Sequence, residues 1–110
     1  MAIKRVTFHG DSLDRLRDFP DDARREAGHE LYQVQSGRDP SDWKPMSTVG
    51  AGVREIRIRD ASGAYRVIYI ATFADAIHVL HAFEKKTKKT ARRDLELAAA
   101  RLRQLKRGSK

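Results

Sequence analysis

Arg66 stands in the run Tyr65-Arg66-Val67-Ile68-Tyr69-Ile70, and the chain later enters a dense basic stretch beginning Lys85-Lys86-Thr87-Lys88-Lys89. A guanidinium fixed on a strand beside ammonium groups suits a phosphodiester. Its planar fork binds two phosphate oxygens together, and the lysines offset the remaining charge. Arg57, in the preceding segment Val53–Arg59, reads as a second phosphate contact or as a solvated side chain. Glu55 lies two residues before it, on the same side of a strand. It is a candidate base, or an ion-pair partner of Arg57 or Arg66. Asp60 is another possible partner for Arg66. His81 is a candidate proton donor or acceptor because imidazole titrates near neutrality. On an apolar strand it also reads as a hydrogen-bonded core residue. Lys85, Lys86, Lys88 and Lys89 are candidate phosphate contacts, and their mutual repulsion would lower the pKa of one of them enough for it to act as a base.

The charge distribution points to the same stretch. The 110-residue chain carries a net +8. Residues 84–110 hold eleven Lys/Arg against three Asp/Glu, whereas residues 1–45 hold eight against nine. A one-sided basic excess implies a polyanionic partner, most often nucleic acid. There is no cysteine, which excludes disulfides and thiolate metal sites. The four histidines show no ligand spacing, so no metal is expected. No Gly-rich phosphate loop or nucleophile elbow occurs, and no cofactor is expected. Aromatic residues make up 7% of the chain, too few for a platform that stacks free single strands. The opening residues lack a long apolar region, so no signal peptide is expected, and no run reaches membrane-spanning length. The expected compartment is the cytoplasm, and the length suits one domain over residues 1–110.

The elements that must position these residues follow from periodicity. Ile3 to Phe8 reads as a strand, and His9-Gly10-Asp11-Ser12 as a turn whose Asp11 or Ser12 caps a helix. Leu13, Leu16 and Phe19 have helical spacing, and Pro20 ends that helix. A second helix, capped by Asp21, carries the stripe Ala23, Ala27, Leu31 and Val34. Ser36 to Gly52 reads as a loop, with Trp43 packing it against the domain or stacking on a base. Val53–Arg59, Ala64–Phe73 and Ala76–Phe83 read as a three-stranded meander turning at Asp60–Gly63 and Ala74-Asp75. Ile77, Val79, His81 and Phe83 are expected on one face of the last strand. Thr87 or Thr90 caps a final helix over Ala91–Lys106, and residues 108–110 are expected to fray. The order β-α-α-β-β-β-α gives an α+β fold, a small antiparallel sheet packed with an N-terminal helical hairpin and a C-terminal helix. The first strand is expected beside the last or central strand of the meander.

Three segments carry a resemblance to a known family: Glu55-Ile56-Arg57-Ile58-Arg59, Tyr65-Arg66-Val67-Ile68-Tyr69 and His81-Ala82-Phe83-Glu84-Lys85-Lys86-Thr87. Together they resemble the RelE/ParE toxin superfamily, and most of all its phage-derived HigB-like branch. There a Tyr-Arg strand precedes an apolar strand ending in Phe-x-Lys-Lys-Thr. The order of elements matches over nearly the whole chain. The resemblance implies the toxin of a toxin–antitoxin pair, an endoribonuclease that cuts messenger RNA on the ribosome. It implies an antitoxin partner, usually of helix-turn-helix type, for which the C-terminal helix is a candidate contact. Members resembling ParE inhibit DNA gyrase instead. A basic module that binds nucleic acid without turnover and a structural phage protein are further alternatives.

By the same resemblance Arg66 falls on the sheet arginine of the ribonucleases, Arg57 on a basic residue of the preceding strand, and Lys85 and Lys86 on the basic pair after the last strand. Glu55 stands where RelE-like enzymes place a lysine, Ala91 where many relatives carry proline, and the C-terminal tyrosine of RelE has no counterpart. The implied chemistry needs no metal. RNA supplies its own 2′-hydroxyl nucleophile, and fixed cations stabilise the charged transition state.

Overall fold

The computed structural model describes residues 3–108 of the chain. Its elements are β1 (Arg5–Phe8), α1 (Ser12–Arg17), α2 (Asp21–Gln35), β2 (Trp43–Pro45), β3 (Val53–Asp60), β4 (Gly63–Ile70), β5 (Ala76–Lys85) and α3 (Arg92–Gly108). They build one five-stranded sheet in the order β1-β5-β4-β3-β2. β1 runs parallel to β5, and every other pair is antiparallel. The α+β class and the order of elements agree with the sequence reading, with β2 as an addition. Gly108 closes α3, and the rest of the expected fraying, at residues 109 and 110, lies outside the described residues. No helix among the described residues is long and apolar enough to cross a membrane.

Alternation along the strands divides the core. Ile56, Ile58, Tyr65, Val67, Tyr69, Ile77 and Val79 point to one side of the sheet. There they meet Leu16 of α1 and the stripe Ala23, Ala27, Leu31 and Val34 of α2. Ile68, Ile70, Leu80 and Phe83 point to the other side and meet Ala98 and Leu102 of α3. The sheet is therefore the middle of three layers, and each helix turns its apolar stripe to it.

Several local expectations change. Trp43–Pro45, read as loop, pairs with Arg54–Ile56 of β3 and forms the edge strand β2. Trp43 is half-buried, and the Arg54 guanidinium lies over its ring, 3.9 Å from the centroid. Ala71–Phe73 lie beyond β4, whereas β5 runs two residues further than expected, through Lys85. The loop before β2 is pinned by Glu30, buried in α2, whose carboxylate accepts from the Ser41 backbone N–H at 2.9 Å and hydroxyl at 3.1 Å.

The helix starts also differ. Pro20 occupies the N-cap of α2, and Asp21 is its first residue. Asp11 stands at the N-cap of α1 without capping it, because its carboxylate accepts from Arg101 at 2.6 Å. Arg101 also donates to the Leu80 carbonyl at 2.9 Å, so α3 is tied to both β5 and the start of α1. Gly10 makes room for this: its φ is +56°, and a Cβ there would lie 2.5 Å from the guanidinium carbon of Arg101.

One irregularity in β5 decides where His81 goes. Ile68 of β4 faces His81 and Tyr69 faces Val79, so the register skips Leu80. This β-bulge breaks the period of two. Val79 faces α1 and α2, whereas Leu80 and His81 both turn toward α3. The expected common face of Ile77, Val79, His81 and Phe83 is thus corrected. Strict alternation holds only up to the bulge.

Candidate nucleic-acid interface

Three rows of side chains cross the sheet on the α3 side. Lys44 pairs with Glu55, which lies opposite Ile68 and, through it, His81. Arg57 lies directly opposite Arg66, which faces Phe83. Arg59 faces Ala64, which faces Lys85. The pleat therefore sends Lys44, Arg57, Arg59, Arg66 and Lys85 to one face, with Glu55 among them. Two cations directly opposite each other destabilise a sheet unless an anion intervenes. Glu55 supplies it: its Oε1 lies 3.6 Å from Arg66 Nε.

The pair is buried. Glu55 is 0% and Arg66 3% exposed. Arg66 Nη1 donates to the Tyr65 carbonyl at 3.0 Å, and Glu55 Oε2 accepts from the Thr90 hydroxyl at 3.0 Å. Glu55 Oε1 and Arg66 Nε have no hydrogen-bond partner, so the pair is a charge contact and not a two-pronged fork. Burial lowers the Arg66 pKa, Glu55 opposes this, and Arg57 and Arg59 add to the lowering. Thr90, expected as a helix cap, instead ties the loop after β5 to β3. The first turn of α3 bonds to the Ala91 carbonyl.

Lys85 is half-buried at the end of β5. Burial lowers its pKa first, then Arg66, with Lys44 and Arg57 adding and Glu55 opposing. The charges that lower it are thus Arg66, Lys44 and Arg57, brought by the sheet. Beside it opens a cleft of about 250 Å³ lined by Lys85, Lys86, Thr87 and, from the helices, Arg15 and Arg93. Lys86, Lys88 and Lys89 are exposed on the loop that follows.

The structure brings together Arg57, Arg66, Lys85 and Glu55 from the residues named by sequence reasoning. Arg66 was expected to clamp phosphate directly. Its burial leaves the open contacts to Arg57, Lys85 and Lys44. Glu55 was a candidate base, but it is held from both sides beneath the surface. Lys44, Arg15 and Arg93 were missed. The only signal for Lys44 would have been the three-residue strand around it, which Pro45 disguises.

His81, a candidate proton carrier, is fully buried beneath α3. Its Nε2 lies 2.8 Å from Asp94 Oδ1, and its ring stacks on Phe83 with centroids 5.0 Å apart. Because a carboxylate only accepts, Nε2 carries the proton. Nδ1 has no partner. Burial lowers the His81 pKa, against the pull of Asp94, and Arg101 and Arg15 lower it further. The unfolded chain therefore takes up a proton as pH falls through about 6.5, where the native imidazole still resists it. Stability contributed by this group is present above that pH and is lost as pH falls toward the lowered native value. Thermal melts of the wild type are expected to move to lower temperature between about pH 7.5 and 5.5, and less so in His81→Gln. Equal slopes in the two proteins would show that His81 is not the group responsible.

His9 and His78 form a chain with Asp75. His78 Nε2 lies 3.2 Å from Asp75 Oδ1, and its Nδ1 lies 2.9 Å from His9 Nε2. Their ring centroids are 5.1 Å apart, so the two nitrogens meet nearly head-on over a shared proton. Among the described residues no group of three His, Asp or Glu side chains is placed to hold a metal ion.

Comparison with known proteins places this geometry in a family. Residues 14–103 match the family described as "Phage derived protein Gp49-like (DUF891)". No curated protein matches the chain significantly. Among solved structures, the chain is similar to an E. coli toxin RelE, a double arginine-to-alanine mutant in the free state, with a TM-score of 0.64 and 15% identity. That match covers 96% of this chain and 99% of the other. The match over most of its length and the agreement in topology make the chain a member of the phage-derived Gp49-like family, built on the fold of RelE.

Proposed function

We propose that the chain is the toxin of a toxin–antitoxin pair and that it cleaves messenger RNA on the ribosome at the basic sheet face. The observation that carries this reading is the convergence of Lys44, Arg57, Arg66 and Lys85 on one face, around a single buried carboxylate. Membership of the phage-derived family and the RelE fold support it. The reaction is attack of the 2′-hydroxyl on the adjacent phosphate. A proton leaves the 2′-oxygen, the 2′-O–P bond forms, and the P–O5′ bond breaks as the 5′-oxygen takes up a proton. Arg57 and Lys44 hold the non-bridging oxygens. Arg66 adds its charge from beneath, where a low dielectric strengthens it. Burial and the neighbouring cations lower the Lys85 pKa, the direction that favours a base for the 2′-hydroxyl. Glu55 is a positioning residue that fixes Arg66. Lys86, Arg15 and Arg93 take the flanking backbone in the adjoining cleft, and Lys88 and Lys89 extend the contact.

The test is induction in cells with mapping of mRNA 5′ ends, comparing the wild type with Arg57→Gln/Lys85→Gln. Growth arrest with cuts inside translated codons is expected, both lost in the variant. Arrest with intact mRNA and failed DNA supercoiling would replace this reading with gyrase inhibition. Salt-sensitive RNA binding without cuts would leave a binding module.

A further inference from the structure

The outward side of α3 carries cations that the fold does not use. Ala98 and Leu102 are the buried residues of this helix, and Leu95, Ala99 and Leu105 pack beside them. Arg92, Arg103 and Arg107 follow at spacings of eleven and four, so they fall on one line along the opposite side, with Lys106 next to them. All four are exposed. The line is about 22 Å long by helical rise. At the start of α3 it continues into the loop of exposed Lys86, Lys88 and Lys89, and through Lys86 it reaches the cleft beside Lys85.

A charged helix face often serves only to hold water, and local electrostatics separates that case from this one. α2 pairs both of its arginines with acids: Arg24 with Asp21 and Arg25 with Asp22. Among the described residues, the cations of α3 with an acid partner are Arg101, turned inward to Asp11, and Arg92, which meets Glu96 at 3.4 Å in open solvent. Arg103 repels Lys106 and Arg107 at i+3 and i+4. Lys106 and Arg107 suit the negative end of the helix dipole, but Arg92 and Arg93 stand in the first turn, where a cation is unfavourable. The acid of that turn, Asp94, is engaged by His81. The row therefore costs the helix stability, and a bound polyanion reverses that cost.

We propose that this row is a docking surface for the phosphate backbone of double-stranded RNA, separate from the face where the linkage is cut. α3 contains no aromatic residue, so it has nothing on which an unpaired base could stack. A straight row of guanidinium and ammonium groups on a rigid helix contacts phosphates alone, and it suits a partner whose bases are already paired. The choice of RNA over DNA rests on the function proposed above, because the row is continuous with the lysines assigned there to the RNA backbone. Docking of this kind concentrates the enzyme beside its substrate. It lowers KM and leaves the chemical step unchanged.

The probe is an RNA duplex of about 16 base pairs and arbitrary sequence, titrated at several salt concentrations. The variant is Arg92→Gln/Arg103→Gln/Lys106→Gln/Arg107→Gln, since glutamine keeps the helix propensity. It is expected to bind the duplex about 10²-fold more weakly at low salt, with a slope of log K against log salt shallower by about 3–4. Arg92→Lys/Arg103→Lys/Arg107→Lys keeps the charge and is expected to bind within a few-fold of the wild type. Arg57→Gln/Lys85→Gln leaves the row intact and is expected to do the same. In the wild type, the duplex is expected to shift amide resonances of residues 92–107 and to leave those of residues 55–57 in place. The reverse pattern, an unchanged slope in the glutamine variant, or equal affinity for a DNA duplex of the same sequence would overturn the proposal. So would displacement of the RNA by polyglutamate at equal charge, which would mark the row as a site for an acidic protein. Duplex binding is read without cleavage. A protein that binds through the row and cuts nothing loses the nuclease reading alone. One that cuts mRNA with a KM unmoved by the glutamine substitutions loses the docking surface alone.

Discussion

Arg66→Ala is expected to lower the stability of the fold by about 3–5 kcal/mol, because it leaves the buried Glu55 carboxyl without its counter-charge. Glu55→Ala is expected to cost a similar amount by stranding the guanidinium. A protein carrying both Arg66→Met and Glu55→Met removes the two charges together and is expected to recover most of that loss. Denaturant melts of the three variants test this. Additive losses in the double variant would mean that the two side chains are not coupled. RNA cleavage is expected to stay abolished in the refolded double variant, which separates the structural contribution of Arg66 from its charge at the phosphate. Cleavage at the wild-type rate there would remove Arg66 from the mechanism. Thr90→Val tests the same network at its edge: it leaves Glu55 Oε2 without its donor, at a cost of about 1–3 kcal/mol.

Lys85→Arg is expected to reduce RNA cleavage by about 10²–10⁴-fold while leaving RNA affinity within a few-fold of the wild type. Arginine keeps the positive charge but does not give up its proton at any working pH. If Lys85 only binds phosphate, the substitution costs little. If it accepts the 2′-hydroxyl proton, the chemical step fails. Single-turnover cleavage on programmed ribosomes, measured beside RNA affinity, distinguishes the two. The pH dependence adds a second readout. Burial and the neighbouring cations hold the ammonium below its ordinary value of 10.5. The neutral, basic form therefore accumulates at lower pH than in a free lysine, and cleavage is expected to rise with pH to an inflection below that value. A flat profile would exclude Lys85 as the base.

The sequence carried the parts of this site that depend on period. Ile56 and Ile58 alternate with Glu55, Arg57 and Arg59, so the common side of the charged residues was legible before any coordinates. The same holds for the stripes of α2 and α3. What was not legible depends on residues far apart in the chain. Thr90 bonds Glu55 across 35 positions, and no local pattern tells that hydroxyl to leave its helix cap. The burial of Arg66 follows from the neighbours that β5 and the loop after it bring to it, and its own strand does not reveal this. β2 is three residues long and ends in proline, so it carries no alternation to detect. The bulge at Leu80 has no glycine to announce it. Its effect on His81 could be found only from the register of the facing strand.

That unpaired leucine also governs how the chain tolerates changes in length. β4 and β5 agree in phase on each side of Leu80 only because one residue is skipped there. Deleting a residue between Val79 and His81 would force one half of the strand to rotate by half a turn. Either Ile77 and Val79 would leave the helical hairpin, or Phe83 and Lys85 would exchange sides with Ala82 and Glu84. The hairpin tip at Asp60–Gly63 carries no such constraint, so insertions belong there, while the middle of β5 must keep its residue count.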